Sequence, residues 1–417
     1  MQSVPLTGSP LYWSNDPDVQ AGLNQAFEAP AAADAPQEGL VSSFSIEHTA
    51  CAIQGNKAKQ DRFLSLSTRV NDLTITCLAI FGGHRKLGHV AAEITAVQTI
   101  IFFSQSLSQM QNWEDQEWKL KFSTLFKQMD DALRLNPKGQ VGTSGTTSSI
   151  VLMLEEKGSM KIRTAHVGCT TISIFLPKSN RLISLSADHS AANLAEQQRI
   201  LAAEGSHPPH FVYATQGLRL GQEKTYRHLR DLEGNIIQYS KEVTKNLGIK
   251  VSNYITRIPC TYVIAGNSGL ATTRSLGNHG LSVRDYLSSE PTISGITLHE
   301  RALVMIQSNG ATYGQRSADP ADRSKAILLN MTELGLQKAV ENECAEGLQF
   351  VIHRCSKESP GISIEDILRH KDSPFLNDKG LKMPDASTIA AAYFQPAKDI
   401  DSFAANEEVS AAGPANP

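Results

Sequence analysis

Hydrophobic positions along this chain follow two different periods. Short runs of β-branched and apolar residues at Leu73–Phe81, Ser149–Leu154, Lys161–His166, Thr171–Phe175, Ala302–Gln307 and Thr388–Phe394 predict strands. Spacings of three and four predict helices over Val90–Leu107, Trp118–Leu135, Ala191–Glu204 and Ala326–His353. The second of these puts Trp118, Phe122, Leu125, Phe126, Met129 and Leu133 on one stripe, as a helix packed on a core requires. Gly205 follows the third as its expected C′ residue, where a left-handed backbone favours glycine.

Hairpin-like strands mixed with long helices indicate an α+β fold rather than a doubly wound parallel sheet. Residues 1–40 are rich in Ala, Pro, Gln and Asp and read as a flexible arm; residues 396–417 read as a disordered, acidic tail. No linker pattern interrupts residues 41–395, which predicts one large domain.

Composition narrows the function. Hydrophobic residues make up 41 % and charged residues 19 %, enough apolar surface for a core and too little charge for wholesale disorder. The net charge of −3 argues against nucleic acid as a partner of the whole chain. No apolar run approaches the 18 or so residues of a membrane span, so no membrane insertion is expected. The start of the chain lacks the pattern of a signal peptide, and its six scattered cysteines lack CxxC pairing. These features predict reduced core thiols in an intracellular protein, cytoplasmic with the nucleus left open.

Candidate chemistry lies in a series of short segments. Asn56-Lys57-Ala58-Lys59-Gln60-Asp61-Arg62-Phe63 places an acid at the start of a strand, and Phe81-Gly82-Gly83-His84 ends another. Then come Gly142–Thr147, Thr164–Thr170, Asp188-His189 leading into Glu196-x-x-Arg199-Ile200, Gly269–Asn278, Gln307-Ser308-Asn309-Gly310 and Asp385-Ala386-Ser387-Thr388. In this order and spacing, over about residues 45–394, they resemble the type-2C, metal-dependent serine/threonine protein phosphatases. The most specific pieces are Gly-Leu-Ala-x-x-Arg-x-Leu-Gly at 269–277, Asp188-His189 and Phe-x-Gly-His at 81–84. The resemblance implies a sandwich of two antiparallel β-sheets flanked by α-helices, with the active site at one end of the sheets.

In that family, carboxylates hold two hard cations that bridge a water, lower its pKa and clamp the phosphate. The resemblance makes Asp61 and Asp385 metal ligands, and both are kept. Its other positions are degenerate: the Asp before Gly-His is Gly82, the Asp of Ser-Asp-Gly is Asn309, and that of Val-Gly-Asp is Cys169, a soft ligand. The phosphate-gripping Arg is Asn56, the Gly-Asp closing the 269–278 segment is Gly277-Asn278, and the Asn after the final metal Asp is Ala386. Losing one buried counter-charge costs several kcal/mol. A pseudophosphatase is therefore expected, with no cofactor beyond residual Mg or Mn at Asp61 and Asp385. The alternative is a weak metal-dependent phosphatase with substitute ligands, such as Glu93 or an acid of the 206–260 segment.

His84, an acid near the leaving group in the family, is expected here as a hydrogen-bonded histidine at a strand end. The trio His84, His89 and Glu93 has metal-like spacing only by accident. Gly142–Thr147 lacks the Lys of a phosphate loop, and Cys355 lacks an Arg six residues on, where Gly361 stands. Cys169 reads as a small buried residue.

Residues 206–260 form an expanded flap with eight bases against four acids. Tyr226, Arg227 and Arg230 are of the types enriched at interfaces and are the candidate docking residues. The expected partners are other proteins, in a larger assembly, with the flap beside an inactive site. A reader of phospho-residues, with Lys57 or Lys59 in place of the missing Arg, is a further reading.

Overall fold

The computed structural model describes residues 44–54, 60–70, 73–110, 113–135, 141–156, 158–214, 226–230, 236–237, 260–308, 311, 320–355, 363–369 and 386–396. The chain opens with β1 (Phe44–Gln54), β2 (Asp61–Val70), β3 (Leu73–His84), α1 (Gly88–Met110) and α2 (Asp115–Arg134). Next come β4 (Gly145–Glu156), β5 (Ser159–Val167), β6 (Thr171–Leu176), β7 (Arg181–Ser184) and α3 (Leu194–Leu201). The flap region holds β8 (His210–Ala214), β9 (Tyr226–Arg230), β10 (Ile236–Ile237), β11 (Cys260–Ala265) and β12 (Ser268–Leu270). After β13 (Leu276–Gly277) follow β14 (Thr292–Leu298), β15 (Ala302–Gln307), α4 (Pro320–Leu334), α5 (Leu336–Cys355), α6 (Ile364–Arg369) and β16 (Ala386–Pro396).

Two antiparallel sheets form the sandwich. One runs β1-β16-β15-β6-β7; the other runs β14-β5-β4-β3-β2, with β13 added to β4. Alternation sorts each strand between two cores. Leu78, Ile80, Val151, Met153, Ile162, Ile174, Val304 and Ala390 meet between the sheets. Their neighbours Cys77, Ala79, Ile150 and Leu152 face the other way and pack with α1 and α2. On the far side, α4, α5 and α6 cover the first sheet through Ile327, Val340, Leu348 and Ile367. Each fully buried large side chain contributes about 1.5–3 kcal/mol. The stripe expected on α2 is buried as predicted, and Asp130 joins it.

The structure departs from the sequence expectations in several elements. The helix expected over 326–353 is two helices, because Gly335 takes φ +79 and its N–H bonds Met331 O at 2.9 Å. That is a left-handed helix end that glycine adopts without steric cost. The helix expected over 191–204 is only α3, starting after Asn193, whose side chain accepts from Ala195 N. Gly205 is not its C′ residue; a Cβ there would strike the ring of Tyr286, so glycine permits a close approach instead. A third sheet, β10-β9-β8-β11-β12, adds to the two expected. Around α3 and the inner part of this sheet a separate small core gathers Ala191, Ile200, Phe211, Val263 and Tyr286.

Candidate functional site at one end of the sandwich

Strands β2, β3 and β4 bring their site-bearing ends together, with Asp61 opposite Gly82 and Gly82 opposite Thr147. Asp61 is 7 % exposed. Its Oδ2 accepts a 2.8 Å hydrogen bond from Thr388 Oγ1 on β16, so the carboxylate ties one sheet to the other. Thr388 is itself clamped to Ser308, by Thr388 N to Ser308 Oγ and Ser308 N to Thr388 O, each 2.9 Å. A buried carboxylate is costly unless hydrogen-bonded, and the Thr388 hydroxyl meets part of that need.

Gly82 leaves little space for a side chain beside Thr147. A Cβ at this position would lie 2.7 Å from Thr147 Oγ1 and 3.8 Å from Asp61 Oδ1. The Thr147 hydroxyl therefore occupies the space where any side chain at 82 begins. Gly82→Asp is expected to cost about 1–3 kcal/mol through overpacking. Thr147→Ala in the same chain should recover part of that loss in urea denaturation. An equally destabilised double variant would show that steric conflict with Thr147 is not the cause.

His84 ends β3, and its Nε2 lies 2.9 Å from Asn278 Oδ1. Asn278 is oriented by three further contacts: Ser275 Oγ donates to its Oδ1 at 2.8 Å, its Nδ2 donates to Thr143 O at 3.0 Å, and its N–H donates to Ser144 O. With Oδ1 fixed as acceptor, Nε2 of His84 carries the proton. Burial lowers the His84 pKa to about 4, against the opposing pull of the Asn278 bond. The ring is thus neutral at pH 7 with its proton spent on an amide, as expected for a hydrogen-bonded strand-end histidine.

Other sequence candidates separate. His89 and Glu93 do not join His84 in a metal trio; among the described residues no group of three His, Cys, Asp or Glu side chains could hold an ion. Glu93 pairs with buried Arg62 on β2. Alternation along β2 turns Arg62 to the face opposite Asp61. Cys169 is half-buried rather than buried, because Gly168 at φ 107 turns the chain between β5 and β6 and leaves Cys169 in the turn. Asn56, Asn309 and Asp385 lie outside the described residues, as do Lys57 and Lys59. The backbone of Tyr226, Arg227 and Arg230 forms β9, paired with β8 and β10.

Two polar assemblies escaped sequence reasoning. His166 and His189 stack with centroids 4.7 Å apart and planes 11° apart. His166 Nε2 donates to Ala187 O and its Nδ1 accepts from Ser149 Oγ; His189 Nδ1 accepts from Gly168 N and its Nε2 donates to Thr292 Oγ1. Desolvation lowers the two pKa values to about 4 and about 3, and the His166 ring further disfavours a charge on His189. Beside them Glu196, 4 % exposed, accepts from Arg274, Arg199 and Thr273. Burial alone would raise the Glu196 pKa, but these donors outweigh it and hold it at about 2. Nearby, Gly277 takes φ +81 and donates to Asp130 of α2, while Leu276 enters the helix-side core. The signal was present in the quoted segments, since Asp188-His189, Glu196 and Gly269–Asn278 all bear on this cluster.

The described donors alone do not make up a site for a pair of hard dications. Among the described residues, Asp61 has beside it the hydroxyls of Thr147 and Thr388, which are neutral donors, and Gly82, which brings no side chain. Two such cations require several anionic oxygens.

The site thus sits at one end of a sandwich of antiparallel sheets. Residues 46–216 match the family model for protein phosphatase 2C. Among solved structures, the chain is similar to serine-threonine phosphatase 2C from Toxoplasma gondii, at 15 % identity and TM-score 0.49, over 84 % of this chain and 94 % of that one. It is similar to a C. elegans sex determining protein at 14 % identity and TM-score 0.49, over 86 % and 67 %. The S. agalactiae serine/threonine phosphatase matches at 14 % identity and TM-score 0.39, over 84 % and 98 %. No curated protein sequence matches the chain.

Proposed function

We propose that this chain is a catalytically inactive type-2C phosphatase-like protein that works by binding other proteins, as a scaffold, an assembly component or a regulator. The observation that supports it is the Thr147 hydroxyl at the space a ligand on residue 82 would need. A side chain on residue 82 would have to displace that hydroxyl, and Asp61 holds the sheets together through Thr388. A binding role needs the folded surface and not the metals. It fits a chain that keeps Arg274, Gly277 and His189 in packing roles while Gly82, Cys169 and Asn309 stand where the family has acids. No helix among the described residues is long and apolar enough to cross a membrane; an intracellular, cytoplasmic setting belongs to this proposal.

Turnover of a phosphopeptide across a manganese and magnesium titration tests the reading. Wild type is expected to match an Asp61→Asn/Asp385→Asn variant at every metal concentration. Metal-dependent turnover that the double substitution abolishes would make the protein a phosphatase with substitute ligands instead. The flap carries the proposed docking residues Tyr226, Arg227 and Arg230. Their joint replacement by alanine should weaken capture of a bound protein by at least about tenfold if they form a hot spot. Unchanged affinity removes the flap from the binding surface and leaves the inactive-site reading in place.

A further inference from the structure

Where α5 covers the first sheet, it brings a cysteine against a cysteine of β1. Alternation along β1 sends Ala50 into the core between the sheets and turns Cys51 and Ile53 to the opposite face. There Cys51 shares a cluster with Cys344, Ala345 and Leu348 of α5. Thr49, on the same face, donates its hydroxyl to Gln337 Oε1, about two turns earlier on the helix. The helix therefore meets the strand at two points, one of them a pair of thiols.

Both cysteines are unbridged, and Cys51 is 6 % exposed against 0 % for Cys344. Cys344 Sγ lies 3.6 Å from Cys51 O. Burial raises the Cys344 pKa well above its usual value, and the Cys51 thiol adds to the rise as hydrogen-bond partner and as a competing charge. Disulfide formation needs Cα atoms within about 7 Å and side chains that converge. Cα atoms of β1 and α5 come within 8 Å of one another, and these two side chains converge. Of the other described cysteines, Cys77 lies in the core on the far side of the second sheet and Cys169 in the turn after β5.

We infer that Cys51 and Cys344 form a redox-sensitive latch that fastens α5 to β1 when a peroxide is present. The Cys51 thiolate attacks hydrogen peroxide: the O–O bond breaks, an S–O bond forms, and hydroxide leaves with the former thiol proton as water. The Cys344 sulfur then attacks Cys51 Sγ. The S–O bond breaks, the S–S bond forms, and the Cys344 proton leaves with the hydroxyl as a second water. Two thiols are oxidised and one peroxide is reduced. Burial keeps Cys344 protonated, so its attack is slow and the latch closes under sustained oxidation. The device acts on the helix layer of the first sheet and does not depend on whether the Asp61 site turns over.

Full-length protein, reduced and then treated with hydrogen peroxide, is alkylated and digested without reductant. One dominant linked peptide pair joining Cys51 and Cys344 is expected, and dithiothreitol should remove it. The oxidised protein should unfold at a higher urea concentration than the reduced protein, because the bond constrains 293 residues of the unfolded chain. Cys51→Ser and Cys344→Ala should each lose both the linked peptide and the urea shift. The peptide is read in the unaltered chain, so the test holds even where a variant folds poorly. No such peptide at any peroxide concentration, disulfides spread evenly over the six cysteines, or an unchanged urea midpoint in the linked protein would overturn the latch.

Discussion

Glu196→Ala is expected to destabilise the fold by about 3–5 kcal/mol, the range for removing one partner of a buried ionic cluster. Glu196 takes Arg274 through both Nε and Nη2, at 2.9 and 2.6 Å, and Arg199 through the same two atoms at 3.1 and 2.9 Å. Thr273 Oγ1 adds a third donor at 2.8 Å. Removing the carboxylate leaves two guanidinium groups facing each other beside the sandwich, with backbone carbonyls of Thr273, Tyr286 and Glu290 as their remaining acceptors. Glu196→Gln keeps the shape and an acceptor oxygen, so it should fall between wild type and alanine. The folded pKa of about 2 is depressed from 4.5. Its stabilisation is therefore present above about pH 4.5 and lost as pH falls toward 2. Guanidinium denaturation at pH 7 measures the first effect; a loss below about 1 kcal/mol would place the cluster with weak, solvated surface pairs.

The second large effect sets in at milder acidity. His166 and His189 have folded pKa values of about 4 and about 3, against 6.5 for a free ring. Between these values the unfolded chain binds protons that the folded one refuses, so stability falls as pH drops below about 6.5. Each unit of depression corresponds to about 1.4 kcal/mol, so the loss for the pair is several kcal/mol by pH 4. The charged groups around the stack are Arg274, Arg199, Asp188 and Glu196; the two arginines add to the depression, and the acids oppose it. His84, depressed to about 4, acts in the same direction. His166→Gln/His189→Gln should therefore flatten the slope of stability between pH 6.5 and 4.5 without removing it. A wild-type stability that stays level across that interval would mean the stack opens to water and takes up protons while folded.

These assemblies give the quoted motifs a packing role that does not depend on a metal site. Gly277 must donate to Asp130 from a left-handed backbone, and Arg274 must reach Glu196. Both serve the packing of α2, β13 and α3. The sequence resemblance rested on these same segments, which is why it was legible despite the altered ligands.

By itself, the sequence determined the strand runs, the buried stripe of α2 and the identities at Gly82 and Cys169, because local period and residue chemistry are one-dimensional properties. Even so, Gly335 divides a continuous apolar pattern into two helices, since periodicity does not register one residue's backbone angle. Only the tertiary structure decided that Thr147 fills the space at Gly82, 65 residues away in sequence, and that Asp61 bonds Thr388 across 327 residues. The same holds for the histidine stack, the Arg62–Glu93 pair and the Cys51–Cys344 contact. Each depends on strand register and on how the layers meet, and a one-residue slip would turn every one of those side chains to the opposite face.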